Sequence, residues 1–450
     1  MRRALFFVYL DTHFVELSRL AFLMNEAGGW ECIVLFARRY PARARDLEVC
    51  QRWGFRSIDW AGDPIEPAFE QPPESTAPPP GSPRRWLAQL RRLLREPGRT
   101  RLRRLVLEFL SQLRASPAQA LQALVFPRVS VLLTTYKGYQ EQAHAGLARL
   151  RPNVLILPED NVAYPTGAMI RTAKERGVPS LIVPYTIANA EEIAEAYWDN
   201  PDYSLSRWRN RLVSRRYPRW VHKHKGRKLL PLPPDDILAI EGLGLAPPQP
   251  WIINSGAADC LAVENPFMLR YYLAAGLPRE KMVVTGALAD DVLFSRLDRP
   301  AGGELATVAA GRRPVLLCAL PPDQYRPKRP RAEFDSYETL VRAWATELAG
   351  ARGFEVVVRL HPRTLKEDLP DLEGEYGLRV ATDDTAALVA GCDVFLASVS
   401  ATIRMAIAAG KPVINYDCYR YRYSDFVDVP GVVNIEDRDA FRAALTRLAD

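Results

Sequence analysis

Residues 356–364 read VVVRLHPRT and residues 391–416 read GCDVFLASVSATIRMAIAAGKPVINY. Val356–Val358 and Asp393–Ala397 are short apolar runs, typical of strands that are buried on both faces of a parallel sheet. A helix with Ile403 and Ile407 on its apolar side follows the second run, and a third strand, 413–416, comes after Gly410-Lys411-Pro412. The pattern predicts a βαβ unit in a doubly wound α/β domain.

Polar and cationic side chains follow the ends of these two strands. We expect them to converge on an anion pocket, because ligands of open α/β sheets bind where strands end and helices begin. The candidates for binding phosphate are His361, Arg359, Arg363, Ser398, Ser400 and Thr402. Three of them also have an ordinary structural interpretation. His361 could be a loop residue without a function, and Ser400 and Thr402 could be helix N-caps.

The N-terminal half opens with a second α/β pattern. Ala4–Leu10 is predicted as a buried strand, and a helix follows that Asp11 or Thr12 can cap. No Gly-x-Gly-x-x-Gly comes after this strand, so we expect no dinucleotide cofactor. Val129–Thr135 and Asn153–Leu157 are predicted as further strands of this sheet, with a helix around 140–150 between them.

Two adjacent acids, Glu159 and Asp160, directly follow the strand that ends at Leu157. They could cap the helix that starts near Thr166, but one cap needs only one carboxylate. Two neighbouring carboxylates in a dry cleft do not easily both stay ionised, and a raised pKa suits a general base.

These motifs together resemble GT-B glycosyltransferases, and most closely the group that transfers CMP-activated 2-keto acid sugars: bacterial sialyltransferases, polysialyltransferases and capsule Kdo transferases. The resemblance lies in the strand that ends on His361-Pro362, in Ser-x-Ser-x-Thr (398–402) before Gly-Lys-Pro-Val-Ile, and in the acidic pair. Asn161 stands where that group has Gly after the acids, and Met405 stands where related enzymes often have a ribose-binding Glu.

The resemblance implies two Rossmann-like domains facing across a cleft, with no cofactor and no required metal. The donor would be a CMP-linked nonulosonic acid of the sialic, pseudaminic, legionaminic or Kdo type, and the acceptor a surface glycan, a lipid-linked glycan or a protein. We expect Glu159 or Asp160 as the base and His361 as the donor to the leaving phosphate. His13 and Asp11, just after the first strand, are candidates for acceptor binding or for an alternative base.

Three other functions fit the same pattern. A nucleotide-sugar epimerase shares the two-domain architecture, a polyol-phosphate transferase has similar strand ends, and an inert relative could act as a scaffold in a membrane glycan complex. We place the domains at 1–298 and 299–450, with a linker over 296–313 and a Pro-rich, then helical and basic insertion at about 62–125.

The basic residues are segregated along the chain. Residues 84–114 hold ten Arg against two acids, and residues 207–228 hold ten Lys or Arg and no acid, with Trp208 and Trp220 among them. No nucleic-acid-binding module is recognisable, so we expect an anionic membrane surface as the partner and no nucleic acid. Scattered cysteines, with no Cys-x-x-Cys, favour a reducing cytoplasm and argue against structural zinc, so we expect a location at the inner face of a bacterial membrane.

Overall fold

The computed structural model describes residues 1–65, 125–187, 189–297, 313–325, 332–361, 364, 367 and 369–449. The chain forms two compact units, Met1–Thr285 and Gly286–Asp450. The basic stretch 84–114 and most of the expected insertion lie outside the described residues, as do Arg363 and most of the expected linker. The domain boundary placed at 298 therefore stays a prediction.

The first unit is built on a seven-stranded parallel sheet of order β3-β2-β1-β4-β5-β8-β9. Its elements are β1 (Arg2–Val8), α1 (Asp11–Glu26), β2 (Trp30–Phe36), α2 (Arg43–Trp53), β3 (Arg56–Ile58), α3 (Val129–Leu150), β4 (Val154–Leu157), α4 (Thr166–Glu175), β5 (Ser180–Ile182), α5 (Ala190–Tyr197), α6 (Trp208–Arg216), the hairpin β6 (His222–His224) and β7 (Arg227–Leu229), α7 (Pro234–Gly242), β8 (Cys260–Val263), α8 (Pro266–Ala274) and β9 (Met282–Val284). Apolar strand residues such as Leu5, Phe7 and Leu155 are fully buried in its core, as expected for a sheet that helices cover.

The second unit is a six-stranded parallel sheet of order β12-β11-β10-β13-β14-β15. Its elements are α9 (Leu288–Leu297), β10 (Val315–Ala319), α10 (Tyr337–Gly350), β11 (Glu355–Arg359), β12 (Arg379–Ala381), α11 (Thr385–Gly391), β13 (Val394–Ala397), α12 (Ile403–Ala408), β14 (Val413–Tyr416), β15 (Val432–Ile435) and α13 (Arg438–Ala449). Trp344, Tyr416 and Phe441 pack their rings together in its core, with centroids 4.9–5.7 Å apart. Both sheets are doubly wound, so the predicted α/β class is confirmed.

The strand predicted at Val129–Thr135 is wrong, because these residues form the first turns of α3. Their β-branched composition favours a strand locally, but tertiary packing overrides such a preference. Val129 is buried against α7 residues while Val131 is 66% exposed, and Thr134 and Thr135 donate their hydroxyls to carbonyls four residues earlier. The helix therefore satisfies these side chains without a sheet partner.

Two smaller expectations also change. Strands β11 and β13, whose ends were expected to meet at one anion pocket, are separated by β10, which pairs with both. Helix α1 begins at Asp11 without a side-chain cap, since Leu10 occupies the N-cap position and the Asp11 carboxylate accepts only the adjacent Thr12 amide.

Candidate functional site

The centre of the first sheet places His13 beside Glu159. From β1 the chain winds outward through β2 and β3, and then returns to the other side of β1 with β4. Such a reversal leaves a crevice at the carboxyl ends of the two central strands, where open α/β sheets bind ligands. His13 lies in the first turn of α1 after β1, and Glu159 follows β4.

His13 and Glu159 form a fully buried pair. The distance from His13 Nε2 to Glu159 Oε1 is 2.7 Å, and both side chains are 0% exposed. On the other side of the imidazole, Nδ1 accepts a long hydrogen bond of 3.4 Å from the Tyr9 amide. Since Nδ1 then acts as the acceptor, the proton resides on Nε2 and is donated to the carboxylate. His13 and Glu159, which were alternative candidates for the base in the sequence, therefore form one hydrogen-bonded dyad.

The second oxygen of Glu159 is the unsatisfied atom of the dyad. Oε2 is buried, and no hydrogen bond of normal geometry reaches it from the described residues. Burial raises the pKa of the nearby Tyr185 hydroxyl, and both the charge of Glu159 and hydrogen bonding to its carboxylate add to the rise. Buried acceptors without a hydrogen-bond partner are rare in native proteins, and a catalytic role is one of the explanations for them.

Tyrosine rings surround the dyad. The Tyr185 ring lies 4.8 Å from the His13 ring, and the Tyr164 ring lies 6.0 Å away, both edge to face. Tyr9 packs on Tyr164 at 4.7 Å. These half-buried side chains provide an aromatic wall of the type that lines small-molecule pockets. The sequence analysis missed them, although Tyr164 and Tyr185 both follow strand ends.

Asp160 has a different role from its neighbour. Its carboxylate accepts the backbone amides of Ser255 and Ala257, the latter at 2.8 Å, and so ties the end of β4 to the loop before β8. Burial raises its pKa, and these amide hydrogen bonds oppose the rise. Neither acid caps α4, whose N-cap is Pro165. Asn161 stands where the resembling group has Gly, but its φ is not positive, so it does not adopt the left-handed conformation that Gly allows. Its side chain instead accepts a hydrogen bond from the Ala163 amide.

In the second sheet the corresponding reversal lies between β10 and β13, and the Ser-rich turn follows β13. Val399 in this turn has φ +43°, a left-handed conformation that is strained for a β-branched residue. Its amide donates to Asn415 Oδ1 at 2.9 Å, and Asn415 donates to Asn434 at 2.8 Å. Neighbouring strands thus hold the turn in place. No local pattern in the sequence indicates this strain.

The hydroxyls of the turn bond to each other. Ser400 Oγ lies 2.8 Å from Thr402 Oγ1, and the Thr402 amide donates to Ser400 Oγ at 3.3 Å. Ser398 Oγ is buried against Cys418 Sγ at 3.4 Å. Helix α12 spans only six residues, and its N-cap residue Thr402 makes no side-chain capping hydrogen bond. A helix this short has a weak dipole. Only one of the two hydroxyls donates in the Ser400–Thr402 contact, so the other retains a proton that a phosphate oxygen could accept.

The cations predicted near this turn are only partly described. Arg359 donates to the Ala381 carbonyl at 3.5 Å through Nη1, while its buried Nε has no partner. His361 is half-buried at the end of β11, one strand away from the switch point, and Arg363 lies outside the described residues. Within the described ranges, no group of three His, Cys, Asp or Glu side chains could hold a metal ion.

Comparison with known proteins gives a fold and no family. No family model matches the chain, and no curated protein matches it. Solved structures do match. One is the glycosyltransferase of kitacinnamycin, at 14% identity and a TM-score of 0.51, and the alignment covers 100% of this chain and 90% of that chain. S. aureus MnaA, solved with UDP, matches at 10% identity and TM-score 0.51 over 100% and 88% of the two chains.

The chain has the GT-B fold. A Listeria monocytogenes protein assigned as a UDP-N-acetylglucosamine 2-epimerase matches it at 9% identity, TM-score 0.52, over 100% of this chain and 88% of the other. In a GT-B protein each unit contributes one Rossmann-like domain, and each domain here places its polar strand ends at a switch point. Identities this low establish the fold alone, so the activity rests on the residues of the site.

Proposed function

We propose that this chain is a glycosyltransferase that uses a nucleotide-activated sugar, with Glu159 as the general base and His13 as the side chain that holds it. The observation that carries the proposal is the buried His13–Glu159 contact of 2.7 Å at the switch point of the first sheet, with Glu159 Oε2 left unsatisfied. Transfer of a sugar needs a base that removes the proton of the acceptor hydroxyl. A charge-assisted hydrogen bond from His13 keeps the carboxylate fixed for that step.

This arrangement favours a separate role for each residue that the sequence left as an alternative base. Asp160 uses its carboxylate oxygens on backbone amides, which favours Glu159 over Asp160 as the base. Both ring nitrogens of His13 are engaged inside the protein, which favours His13 as a positioning residue rather than the base. Asp11 is exposed in the first turn of α1, two residues before His13, and we assign it to binding of the acceptor.

For the donor, the resemblance of the motifs favours a CMP-linked nonulosonic acid. The phosphate would bind at the strained turn with Ser398, Ser400 and Thr402, assisted by Arg359, Arg363 and His361. Fixed protein cations and hydroxyls would stabilise the leaving phosphate without a metal. The acceptor would be a glycan, free or linked to lipid or protein.

A thermal-shift panel with CMP, CDP, UDP and GDP tests the donor class, because a ligand that binds only the native state raises its stability. We expect CMP to give the largest shift at equal concentration. A clear preference for UDP would contradict the nonulosonic donor and would favour the second candidate, a UDP-sugar epimerase.

The epimerase candidate has its own support in the likeness to MnaA and to the Listeria protein. Both reactions need an acid or a base beside a sugar, so the dyad suits either. Incubation with the nucleotide sugar alone separates them: an epimerase converts it into a second nucleotide sugar, whereas a transferase leaves it intact until an acceptor is added.

A further inference from the structure

Helix α6 (Trp208–Arg216) exposes an apolar face. Trp208 is 54% exposed and Leu212, one turn later on the same side, is 44% exposed. Large apolar side chains at adjacent positions of one helix face are unusual on a soluble surface, and they mark interaction sites. The proposed reaction uses no residue of this helix.

The opposite side of the same helix is firmly anchored. Val213 is buried with Trp220 in a small core that α3 and α7 complete. Asn210 is also buried, and its amide donates to the carbonyls of Asp202 and Ser204 at 2.9 and 2.7 Å. The exposed face is therefore held rigidly outward. Trp220, which the sequence grouped with Trp208, belongs to the core and bonds to Glu241.

The arginines of this region fall into two groups. Arg209 pairs with Asp235, Arg219 pairs with Glu241 at 2.8 Å, and Arg227 pairs with Asp199 at 3.5 Å. Among the described residues, no acid pairs with Arg211, Arg215 or Arg216. All three are exposed, Arg211 donating to backbone carbonyls and Arg216 lying over Tyr217. Positions 208, 211, 212, 215 and 216 share one face at helical spacing.

We propose that this face, Trp208, Arg211, Leu212, Arg215 and Arg216, docks the protein onto an anionic phospholipid surface. An indole, a leucyl side chain and three uncompensated guanidiniums on one helix face are the elements of an interfacial helix. The apolar pair enters the boundary between headgroups and acyl chains, and the arginines bind the phosphates. None of the helices in the described part of the chain could span a bilayer.

Charge excludes one competing occupant. Residues 84–114, the other basic stretch, carry ten Arg and only two acids. Segments of like charge repel, so that stretch is unsuited to cover three arginines that have no acidic partner. Nucleic acid is the other polyanion, but Leu212 has no role on a phosphate backbone, whereas it inserts readily among acyl chains.

Flotation of the full chain with vesicles tests the proposal. The protein should bind vesicles of phosphatidylcholine mixed with phosphatidylglycerol and not vesicles of phosphatidylcholine alone, and added salt should weaken the binding. Arg211→Glu/Arg215→Glu/Arg216→Glu should lower the partition coefficient by about a hundredfold or more, from the contribution of each cation near such a surface. Trp208→Ala/Leu212→Ala should lower it by about tenfold or more.

A matched control is available in Arg52→Glu/Lys174→Glu/Arg176→Glu, three exposed cations elsewhere on this unit that no described acid pairs with. This variant has the same net charge as the first and should keep most of the binding. Equal loss in the two triple variants would overturn the proposal, because binding would then follow net charge and not this face. Tight binding to single-stranded RNA with no binding to anionic vesicles would overturn it as well. Unchanged melting temperatures establish that the variants are folded.

Discussion

Glu159 and Asp160 are adjacent in sequence but differ in what their carboxylates contact. Glu159→Gln keeps the shape of the side chain and removes the base. Turnover should fall by about a hundredfold or more, the range for loss of general-base help. His13→Ala should lower turnover by less and should shift the pH profile, because the carboxylate loses its oriented donor. Steady-state assays with donor and acceptor measure both. Normal turnover in Glu159→Gln would show that the base lies elsewhere.

Asp160→Asn is the natural companion variant, and it should act on stability. An amide presents one acceptor oxygen where the carboxylate presents two, so either Ser255 or Ala257 loses the partner of its buried amide. The free energy of unfolding should fall by about 1–3 kcal/mol, the cost of one unsatisfied buried group. Denaturant titration measures it. Turnover per folded molecule should stay within a few-fold of normal, and a collapse of turnover at normal stability would instead make Asp160 the base.

Glu195 gives a pH dependence that can be checked. Burial of this carboxyl acts to raise its pKa, but hydrogen bonds from Lys225 and His224 outweigh burial and lower it below the usual 4.5. As the pH falls, the unfolded chain binds the proton first, so the contribution of Glu195 is present above about pH 4.5 and is lost as the pH drops through the folded pKa.

Glu195→Gln should therefore cost about 1.5–3 kcal/mol of unfolding free energy at pH 7, the range for hydrogen bonds to a charged group. The difference from the unmodified protein should shrink below pH 4. Urea titrations of both proteins, one set at pH 7 and one below pH 4, measure this difference in unfolding free energy. A difference that stays constant with pH would mean that the charge of Glu195 contributes nothing.

At the level of elements, helix α3 and the turn after β13 are the most informative. Val131 is 66% exposed on α3. In a helix an exposed Val is slightly worse than Ala, whereas in a strand it is better. Val131→Ala should therefore leave stability unchanged or raise it by about 0.5 kcal/mol in thermal unfolding. Clear destabilisation would support the strand that the sequence suggested for 129–135.

The turn after β13 depends on Asn415, which accepts the amide of the strained Val399. Asn415→Ala should destabilise the protein by about 1–3 kcal/mol, because that amide loses its partner. It should also weaken nucleotide binding at Ser400 and Thr402, since the backbone between them and β13 is no longer fixed. Calorimetric titration with CMP checks the second effect. Intact affinity in a destabilised variant would separate this turn from the donor site.

These elements show what sequence patterns can and cannot predict. The buried strands were recognisable because continuous Val, Ile and Leu runs have few alternatives in an α/β chain. The same composition misled at 129–135, where the exposed side of a helix carries β-branched residues. His13 and Glu159 were both candidates, but 146 residues separate them. Their contact depends on strand order and side-chain direction, which the local pattern does not contain. For the same reason, the positive φ of Val399 could not be predicted.

For the whole molecule, the assignment of α9 (Leu288–Leu297) to the second unit has a measurable consequence. This helix packs on α11 and α12 and buries Ala289 and Leu293. A fragment 286–450 should unfold cooperatively, because its core is complete. A fragment 299–450 should be less stable by about 2–3 kcal/mol or more, since burying a Leu alone contributes about that much. Equal stability of the two fragments would support the boundary expected at 298.

The pairing of β1 with both β2 and β4 affects how the chain folds during its synthesis. Strands β1, β2 and β3 leave the ribosome close together, whereas Val154, the partner of Ala4, follows long afterwards. At roughly 5–20 residues per second, the open edge of β1 waits on the order of ten seconds for β4. During that interval an apolar strand with unpaired amides is exposed to other nascent chains. The centre of the mature sheet is therefore its most vulnerable edge during synthesis, and shielding of that edge by a chaperone would matter most before residue 157 appears.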